Sequence, residues 1–230
     1  MVDLAANLAR VRSTMHAACS RCGRDPAEVR LIAVSKTHPS ELVDAAHAAG
    51  QTLFGESYVQ EFLGKAPEVR SPVDWHFIGH LQSNKVKYLT GRVSLIHSVD
   101  RVSLAEEIDR QWGSRGLRAA VLIEVNLGAE ASKAGVAEAE AETLLHRLAQ
   151  FPHLAVRGLM TIPPYLADAE EVRPYFRRLR ELARRLDALA LPGVSMAELS
   201  MGMSQDFAVA IEEGATLIRV GTAIFGERTG

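Results

Sequence analysis

The chain lacks the cysteine clusters and long apolar runs that would indicate a metal, redox or membrane protein. Its 230 residues include only two cysteines, Cys19 and Cys22, with no second pair that could complete a zinc site. No stretch approaches the roughly 20 apolar residues of a membrane span, and the N-terminus has no basic start followed by an apolar run. We therefore expect a cytoplasmic protein without a metal or a membrane partner.

The sequence also has no large excess of positive or negative charge. A formal net charge of -2 gives no electrostatic basis for binding nucleic acid or an anionic membrane surface. The arginines at 177–180 and 184–185 alternate with Glu181 and Asp187, a pattern typical of a solvated helix face. Low-complexity linkers and internal repeats are absent as well, so the sequence predicts a single domain over residues 1–230.

Short apolar runs alternate with helical patterns after an amphipathic N-terminal helix. Eight strands separated by helices predict parallel βαβ units of the α/β class, and that number matches a closed (β/α)8 TIM barrel. An open doubly wound sheet is the alternative, but no Gly-rich dinucleotide loop follows the first strand. The predicted strands are 31–34, 52–54, 75–79, 94–97, 119–126, 154–160, 195–199 and 216–220. The predicted helices after the first strand are 40–49, 57–65, 83–89, 101–113, 137–149, 170–190 and 204–213.

Lys36 stands at the predicted carboxyl end of the first strand, in the stretch LIAVSKTHP. Polar residues at the carboxyl ends of barrel strands form the active site in folds of this type. Burial lowers the pKa of a lysine and makes it a nucleophile toward an aldehyde. On spacing alone, the simpler interpretation is that Lys36 lays its aliphatic stem along the strand end and keeps its ammonium in water. The residues at the other strand ends, described next, favour the nucleophilic lysine instead.

Two loops near the C-terminus carry glycines and hydroxyls. Ser200, Gly202 and Ser204 follow the seventh predicted strand, and Gly221 and Thr222 follow the eighth. Phosphate sites in these barrels are often made by the same two loops. Glycines let backbone N–H groups approach a dianion, and hydroxyls and a helix N-terminus bind it. Ser204 is the predicted N-cap of the following helix.

Arg219 lies inside the apolar run of the last strand. A buried arginine needs a partner, and two alternatives remain for Arg219: a structural ion pair, or a ligand in the barrel mouth. Together, a nucleophilic lysine, a phosphate loop pair and a buried arginine fit the aldehyde, phosphate and pyridine nitrogen of pyridoxal 5'-phosphate. His76 and His97 lie within strands and are expected to be hydrogen-bonded core residues. Glu56 is either a general base or a polar strand exit.

Several segments resemble the YggS/PROSC family of pyridoxal phosphate-binding proteins, also called pyridoxal phosphate homeostasis proteins. They span residues 31–228 and read LIAVSKTHP, FGESYVQEF, WHFIGHLQSNK, IHSVD, GLMTIPP, LSMGMSQDF and IRVGTAIFGER. The resemblance implies a barrel similar to the N-terminal domain of alanine racemase, with a Schiff base on Lys36. It also implies phosphate contacts from Ser200, Gly221 and Thr222, a loop shaped by Gly202 and Ser204, and Arg219 facing the pyridine nitrogen.

One position departs from the family pattern. The family's usual FGEN reads FGES here, so Ser57 replaces an asparagine. A serine hydroxyl keeps one donor but lacks the second donor of the amide. Any contact that this asparagine makes near the cofactor is therefore in question.

The resemblance implies a carrier of the cofactor in intracellular homeostasis, with little or no turnover and no catalytic residues. A pyridoxal phosphate-dependent amino-acid racemase is the alternative. Alanine racemases have a barrel followed by a β domain that supplies an opposing tyrosine. We expect no such domain in this chain, which ends where that domain would begin. Apo-enzymes that require the cofactor are candidate partners, and we expect a monomer. The chain's own tyrosines lie within the predicted barrel, at Tyr58, Tyr88, Tyr165 and Tyr175.

Overall fold

Eight parallel strands close into a ring in the computed structural model, which describes residues 3–128 and 134–227. The described residues form nine strands, all of which except β6 belong to the ring: β1 Arg30–Val34, β2 Leu53–Glu56, β3 Asp74–Phe77, β4 Leu95–Val99, β5 Ala119–Asn126, β6 Val136–Ala137, β7 Leu154–Met160, β8 Val194–Ser200 and β9 Leu217–Val220. The order around the ring is β4, β3, β2, β1, β9, β8, β7, β5, and the pairing of β4 with β5 closes it. The short β6 pairs only with the end of β5 among the described strands. The predicted (β/α)8 TIM barrel is confirmed.

Helices alternate with the strands and cover the outside of the ring. They are α1 Leu4–Cys22, α2 Ser40–Ala48, α3 Val59–Lys65, α4 Val102–Gly113, α5 Ala141–Leu148, α6 Ala169–Asp187, α7 Phe207–Glu212 and α8 Thr222–Phe225. Two of the predicted helical stretches are 3-10 helix in whole or in part. The segment predicted at 83–89 is a 3-10 helix, Ser83–Tyr88, and the one predicted at 137–149 begins as β6 and a 3-10 turn before α5.

Two apolar clusters hold the barrel together. The larger lies between the strands and the helices and includes the fully buried Phe54, Phe77 and Phe176. Strand side chains alternate between the two faces of the sheet, so the second cluster fills the inside of the ring. Its members come from six different strands: Ile32, Leu53, Leu95, Leu122, Met160 and Leu217.

The predicted N-terminal helix, α1, packs against α7 and α8. Asp3 caps its first turn by accepting the Ala6 N–H at 2.9 Å, and Gly23 ends it in a left-handed conformation. The side-chain amide of Asn7 donates to the Ile224 carbonyl at 2.7 Å. Because Ile224 lies in α8, α1 supports the segment that directly follows the last strand.

The arginine-rich helix α6 is more than a solvated face, contrary to the sequence interpretation. Glu213, at the end of α7, is buried and accepts from Arg177 at 2.9 Å, Arg180 at 3.1 Å and Arg173 at 3.3 Å. Arg173 also pairs with Glu212 at 2.7 Å. The network joins α6 to α7 and so fixes the helix that follows the loop after β8.

None of the helices in the described parts of the chain is long and apolar enough to span a membrane. The single-domain prediction for 1–230 includes residues 1–2, 129–133 and 228–230, which lie outside the described residues. The end of the IRVGTAIFGER segment falls there too, at residue 228.

Candidate functional site

A cavity of about 690 Å³ opens at the carboxyl ends of the strands. We call it the mouth cavity. It takes residues from the ends of β1, β2, β3, β7, β8 and β9, which converge there because all strands of the ring are parallel. The polar residues that line it are Lys36, Ser57, Ser204, Gln205, Asp206, Arg219 and Thr222.

Lys36 lies in a tight turn that follows the end of β1. The Ser35 N–H continues the strand pairing by donating to the Gly55 carbonyl at 3.2 Å, and the His38 N–H closes the turn onto the Ser35 carbonyl at 3.1 Å. The side chain of Lys36 is half-buried and lines the mouth cavity. A strand end thus delivers a primary amine to the cavity wall.

The two glycine- and hydroxyl-bearing loops meet on another wall of the cavity. The hydroxyl oxygens of Ser204 and Thr222 are 3.0 Å apart and share a hydrogen bond, and the Ala223 N–H lies 3.4 Å from the Ser204 oxygen. Gly221 lines the cavity next to them with backbone alone. Two hydroxyls from loops 18 residues apart are therefore held side by side.

The predicted N-cap role of Ser204 was wrong. The helix α7 begins at Phe207, and Asp206 occupies the N-cap position. The Asp206 carboxylate accepts the Met203 N–H at 2.6 Å within the turn, and burial raises its pKa. Because the helix starts later than predicted, the Ser204 hydroxyl turns toward Thr222 rather than toward the helix.

Gly202 allows the loop after β8 to lie against α7. Its φ is +92°, in the left-handed region, and a Cβ there would come within 2.6 Å of the Ala210 Cβ and 2.9 Å of the Phe207 Cα. The Gly202 carbonyl accepts the Arg219 N–H at 3.0 Å. A side chain at this position would push the loop away from α7.

Arg219 reaches from β9 into the barrel and forms part of the cavity lining. Its Nη1 donates to the Ser200 hydroxyl at 2.5 Å and its Nη2 to the Thr161 carbonyl at 2.9 Å. Burial lowers the pKa of Arg219 to about 10, while the carboxyls of Asp206 and Glu124 raise it. At neutral pH the guanidinium is therefore a fixed positive charge in the cavity.

A chain of buried hydrogen bonds extends from Arg219 across the inside of the ring. The Ser200 hydroxyl lies 2.8 Å from His97 Nδ1, and His97 Nε2 lies 2.9 Å from His76 Nδ1. Burial lowers the pKa of His76 to about 4 and that of His97 well below its ordinary value. Both side chains are buried and hydrogen-bonded, which confirms the prediction that these histidines are hydrogen-bonded core residues.

The structure separates the seven predicted site residues into two groups. Five line the mouth cavity: Lys36, Ser204, Arg219, Gly221 and Thr222. Ser200 and Gly202 are buried behind them and are not part of its lining. The Ser200 hydroxyl is engaged with Arg219 and His97, so its position suits support of the arginine and not a phosphate contact.

Glu124, at the end of β5, is a buried carboxyl that the sequence did not single out. Burial raises its pKa to about 7, with a further upward contribution from the charge of Asp100 and an opposing one from Arg219. Its Oε2 has no hydrogen-bond partner among the described residues. No sequence signal separates this strand-end carboxyl from others, because the shift depends on its burial.

Apolar residues after β7 form the remaining wall of the cavity. Ile162, Pro163, Pro164 and Leu166 line it, and the exposed Tyr165 hydroxyl lies 3.3 Å from the Gln205 side-chain amide. The GLMTIPP segment pointed to this loop, but not to a tyrosine at the cavity edge. The cavity thus has one polar side and one apolar side.

The family comparison agrees with this geometry. The model of the family described as alanine racemase, N-terminal domain, matches residues 3–229. The chain belongs to this family. Within the family, solved racemases share the fold at low identity. Alanine racemase from Corynebacterium glutamicum is 20% identical with a TM-score of 0.71, and the match covers 98% of this chain and 61% of that one.

Relatives of similar length to this chain have higher sequence identity to it. The chain is 48% identical to the pyridoxal phosphate homeostasis protein of Aquifex aeolicus over 96% of both chains. It is 43% identical to the protein of that name from Pseudomonas aeruginosa, covering 99% of this chain and 97% of the other. The structure of PipY from Synechococcus elongatus PCC7942 with PLP bound is 39% identical, with a TM-score of 0.86, over 97% of this chain and 100% of PipY.

Proposed function

We propose that the chain binds pyridoxal 5'-phosphate reversibly through Lys36 and acts in its homeostasis, as a carrier rather than as an enzyme. The observation that carries this proposal is the convergence of three chemically distinct groups on one cavity. These are the amine of Lys36, the paired hydroxyls of Ser204 and Thr222, and the guanidinium of Arg219. The names of the Aquifex and Pseudomonas relatives and the PLP-bound PipY structure support it.

The residues present fit the cofactor group by group. The hydroxyls and the bare backbone of Gly221 offer donors to a phosphate, and the fixed charge of Arg219 offers a donor to an unprotonated pyridine nitrogen. The cavity volume of about 690 Å³ accommodates a substituted pyridine ring with room to spare. Among the described residues, the carboxyl that lines the same space is that of Asp206, and its bond to the Met203 N–H holds it in the turn.

Each residue then has a specific task. When bound, pyridoxal 5'-phosphate supplies an aldehyde for reversible attachment to an amine and a ring that can withdraw electrons. Lys36 would provide the amine for this attachment, because it lines the cavity that would hold the ring. Ser204, Gly221 and Thr222 hold the phosphate, Gly202 shapes their loop, and Ser200 orients Arg219 through the 2.5 Å hydrogen bond.

Arg219 is the reason to expect storage rather than turnover. A guanidinium with a pKa of about 10 stays protonated at neutral pH and disfavours a second positive charge on the neighbouring ring nitrogen. An unprotonated ring withdraws electrons poorly, which limits chemistry that forms a carbanion. Apo-enzymes that need the cofactor are the partners that this proposal implies.

Racemase activity is the competing function, and Tyr165 at the cavity edge is the observation that favours it. We expect no conversion of L-alanine or L-serine to the D-enantiomer above the rate of free pyridoxal 5'-phosphate, measured by chiral chromatography. Racemisation at ordinary enzymatic rates, about 1 to 1,000 per second, would overturn the carrier assignment. Loss of that rate in Tyr165→Phe would then identify the tyrosine as the second base.

The phosphate contacts are tested by comparing the cofactor with its dephosphorylated form. Ser204→Ala combined with Thr222→Val should weaken binding of pyridoxal 5'-phosphate by about 100-fold or more, since two hydrogen bonds to a charged group are lost and each contributes roughly 1.5–3 kcal/mol. Binding of pyridoxal, which has no phosphate, should be nearly unchanged. Absorbance titrations of both ligands measure this difference.

The exposed Thr143→Val on α5 is the matched control and should bind both ligands like the wild type. Equal weakening for both ligands in the double variant would show that the hydroxyls do not hold the phosphate.

A further inference from the structure

A cluster of buried charges beside Lys36 has no part in the binding scheme above. It consists of Glu56 at the end of β2 and of Glu61 and Lys65 on α3, and we call it the α3 charge cluster. Glu56 and Lys65 are almost fully buried, and Glu61 is partly exposed. Charged groups are rarely buried unless they are paired and hydrogen-bonded, so their placement needs a reason.

The Lys65 ammonium lies at the centre of this cluster. Its Nζ donates to Glu56 Oε1 at 2.6 Å, to Glu61 Oε1 at 2.6 Å and to the Ser35 carbonyl at 2.7 Å. An ammonium has three N–H donors, and the three acceptors match that number. The third acceptor is the backbone of the residue directly before Lys36.

The cluster holds both chain neighbours of Lys36. On one side, the Ser35 hydroxyl donates to Glu56 Oε1 at 2.7 Å, in addition to the bond that its carbonyl accepts from Lys65. On the other side, the Thr37 N–H donates to Glu61 Oε1 at 2.5 Å. The same Glu61 oxygen therefore accepts from Lys65 and from the turn.

Thr37 is in a conformation that needs such support. Its φ is +67°, in the left-handed region that β-branched residues rarely adopt. Strained backbone of this kind persists only where surrounding contacts hold it, and it is frequent at functional sites. The hydrogen bond from Thr37 to Glu61 is the contact that anchors this residue to α3.

We propose that Lys65 is a positioning residue for Lys36. Through Glu56 and Glu61 it fixes the peptide groups on either side of Lys36, so that the amine points into the mouth cavity before any ligand arrives. The consequence for binding rests on the proposed function, because it assumes that an aldehyde reacts with Lys36. The consequence for the turn itself does not, since it follows from the hydrogen bonds alone.

A purely structural brace between α3 and β2 would use the same hydrogen bonds, but it predicts different measurements. Loss of a brace lowers the unfolding temperature and leaves the reactivity of Lys36 in the folded protein unchanged. Loss of a positioning residue slows the reaction of Lys36 with an aldehyde, because misplacement of a reacting group by about 1 Å can cost on the order of 100-fold in rate.

The test uses Lys65→Met, which keeps the length of the side chain and removes its charge, and Glu61→Ala. Glu61→Ala removes the acceptor of the Thr37 N–H while the buried Lys65–Glu56 pair remains, so this variant is expected to fold even if Lys65→Met does not. The exposed Lys87→Met is the matched control.

Two quantities are measured in each folded protein. One is amide hydrogen exchange of the peptide containing Thr37, without ligand. The other is the rate at which added pyridoxal 5'-phosphate becomes reducible onto Lys36 by borohydride.

In Lys65→Met and Glu61→Ala, the proposal predicts amide exchange at Thr37 that is at least about 10-fold faster than in the wild type, and attachment to Lys36 that is at least about 10-fold slower. Both rates should be unchanged in Lys87→Met. Unchanged exchange and attachment in the folded Glu61→Ala protein would overturn it. A lower unfolding temperature with unchanged attachment would show a brace. If the wild type itself fails to attach the ligand, the proposed function fails, and the exchange measurement still decides the role of the cluster in the turn.

Discussion

Replacement of Lys36 by alanine should abolish covalent attachment of pyridoxal 5'-phosphate while leaving the fold intact. Lys36 lies in a turn after β1 and is only half-buried, so its removal should change the free energy of unfolding by less than about 1 kcal/mol. Ser204, Thr222 and Arg219 would still face the cavity, which leaves weaker, non-covalent binding. Borohydride reduction followed by mass spectrometry measures the attachment, and urea unfolding measures the stability.

The matched control for this prediction is Lys85→Ala, which removes a lysine of the 3-10 helix after β3, away from the cavity lining. It should attach the cofactor like the wild type. Attachment that survives in Lys36→Ala at wild-type levels would place the reactive amine elsewhere. Loss of the fold in that variant would instead show that the turn depends on the Lys36 side chain.

Replacement of Arg219 by methionine should strongly destabilise the protein. It removes the donors to the Ser200 hydroxyl and the Thr161 carbonyl, and it removes the positive charge that offsets the buried carboxyls of Glu124 and Asp206. Because the pKa of Glu124 is about 7, this carboxyl is partly neutral at pH 7, and most of the loss comes from the two hydrogen bonds of the guanidinium, which contribute roughly 1.5–3 kcal/mol each. We expect a loss of that order in urea unfolding at pH 7, and an altered spectrum of the bound cofactor in the folded fraction.

Arg157→Met is the matched control, because Arg157 also lies in a strand of the ring, β7, but is exposed. Its replacement should change stability by no more than about 0.5 kcal/mol. A loss below about 1 kcal/mol for Arg219→Met would mean that neither the hydrogen bonds nor the charge of the arginine stabilises the native protein.

The strands were predictable because burial on both faces of a parallel barrel leaves continuous apolar runs in the sequence. The predictions 119–126 and 154–160 coincide with β5 and β7, and the other predicted strands differ from the observed ones by one or two residues at one or both ends. Helix starts were less predictable. Ser204 has the chemistry of an N-cap, but the turn held by Asp206 delays α7 to Phe207.

The position of Lys36, Arg219 and Thr222 on one cavity followed from strand order, since parallel strands bring their carboxyl ends together. What the sequence did not indicate depends on side-chain packing between elements. The engagement of Ser200 with His97 joins residues 103 apart in the chain, and the bond from Lys65 to the Ser35 carbonyl joins residues 30 apart. Neither contact leaves a local pattern.

The most direct test of the central claim is a visible spectrum of the purified protein with added pyridoxal 5'-phosphate, followed by borohydride reduction and peptide mass mapping. The account predicts a coloured protein whose pyridoxyl mass lies on the peptide containing Lys36. A protein that takes up no cofactor, or one that carries the mass on Lys65, Lys85 or Lys87 instead, would contradict it.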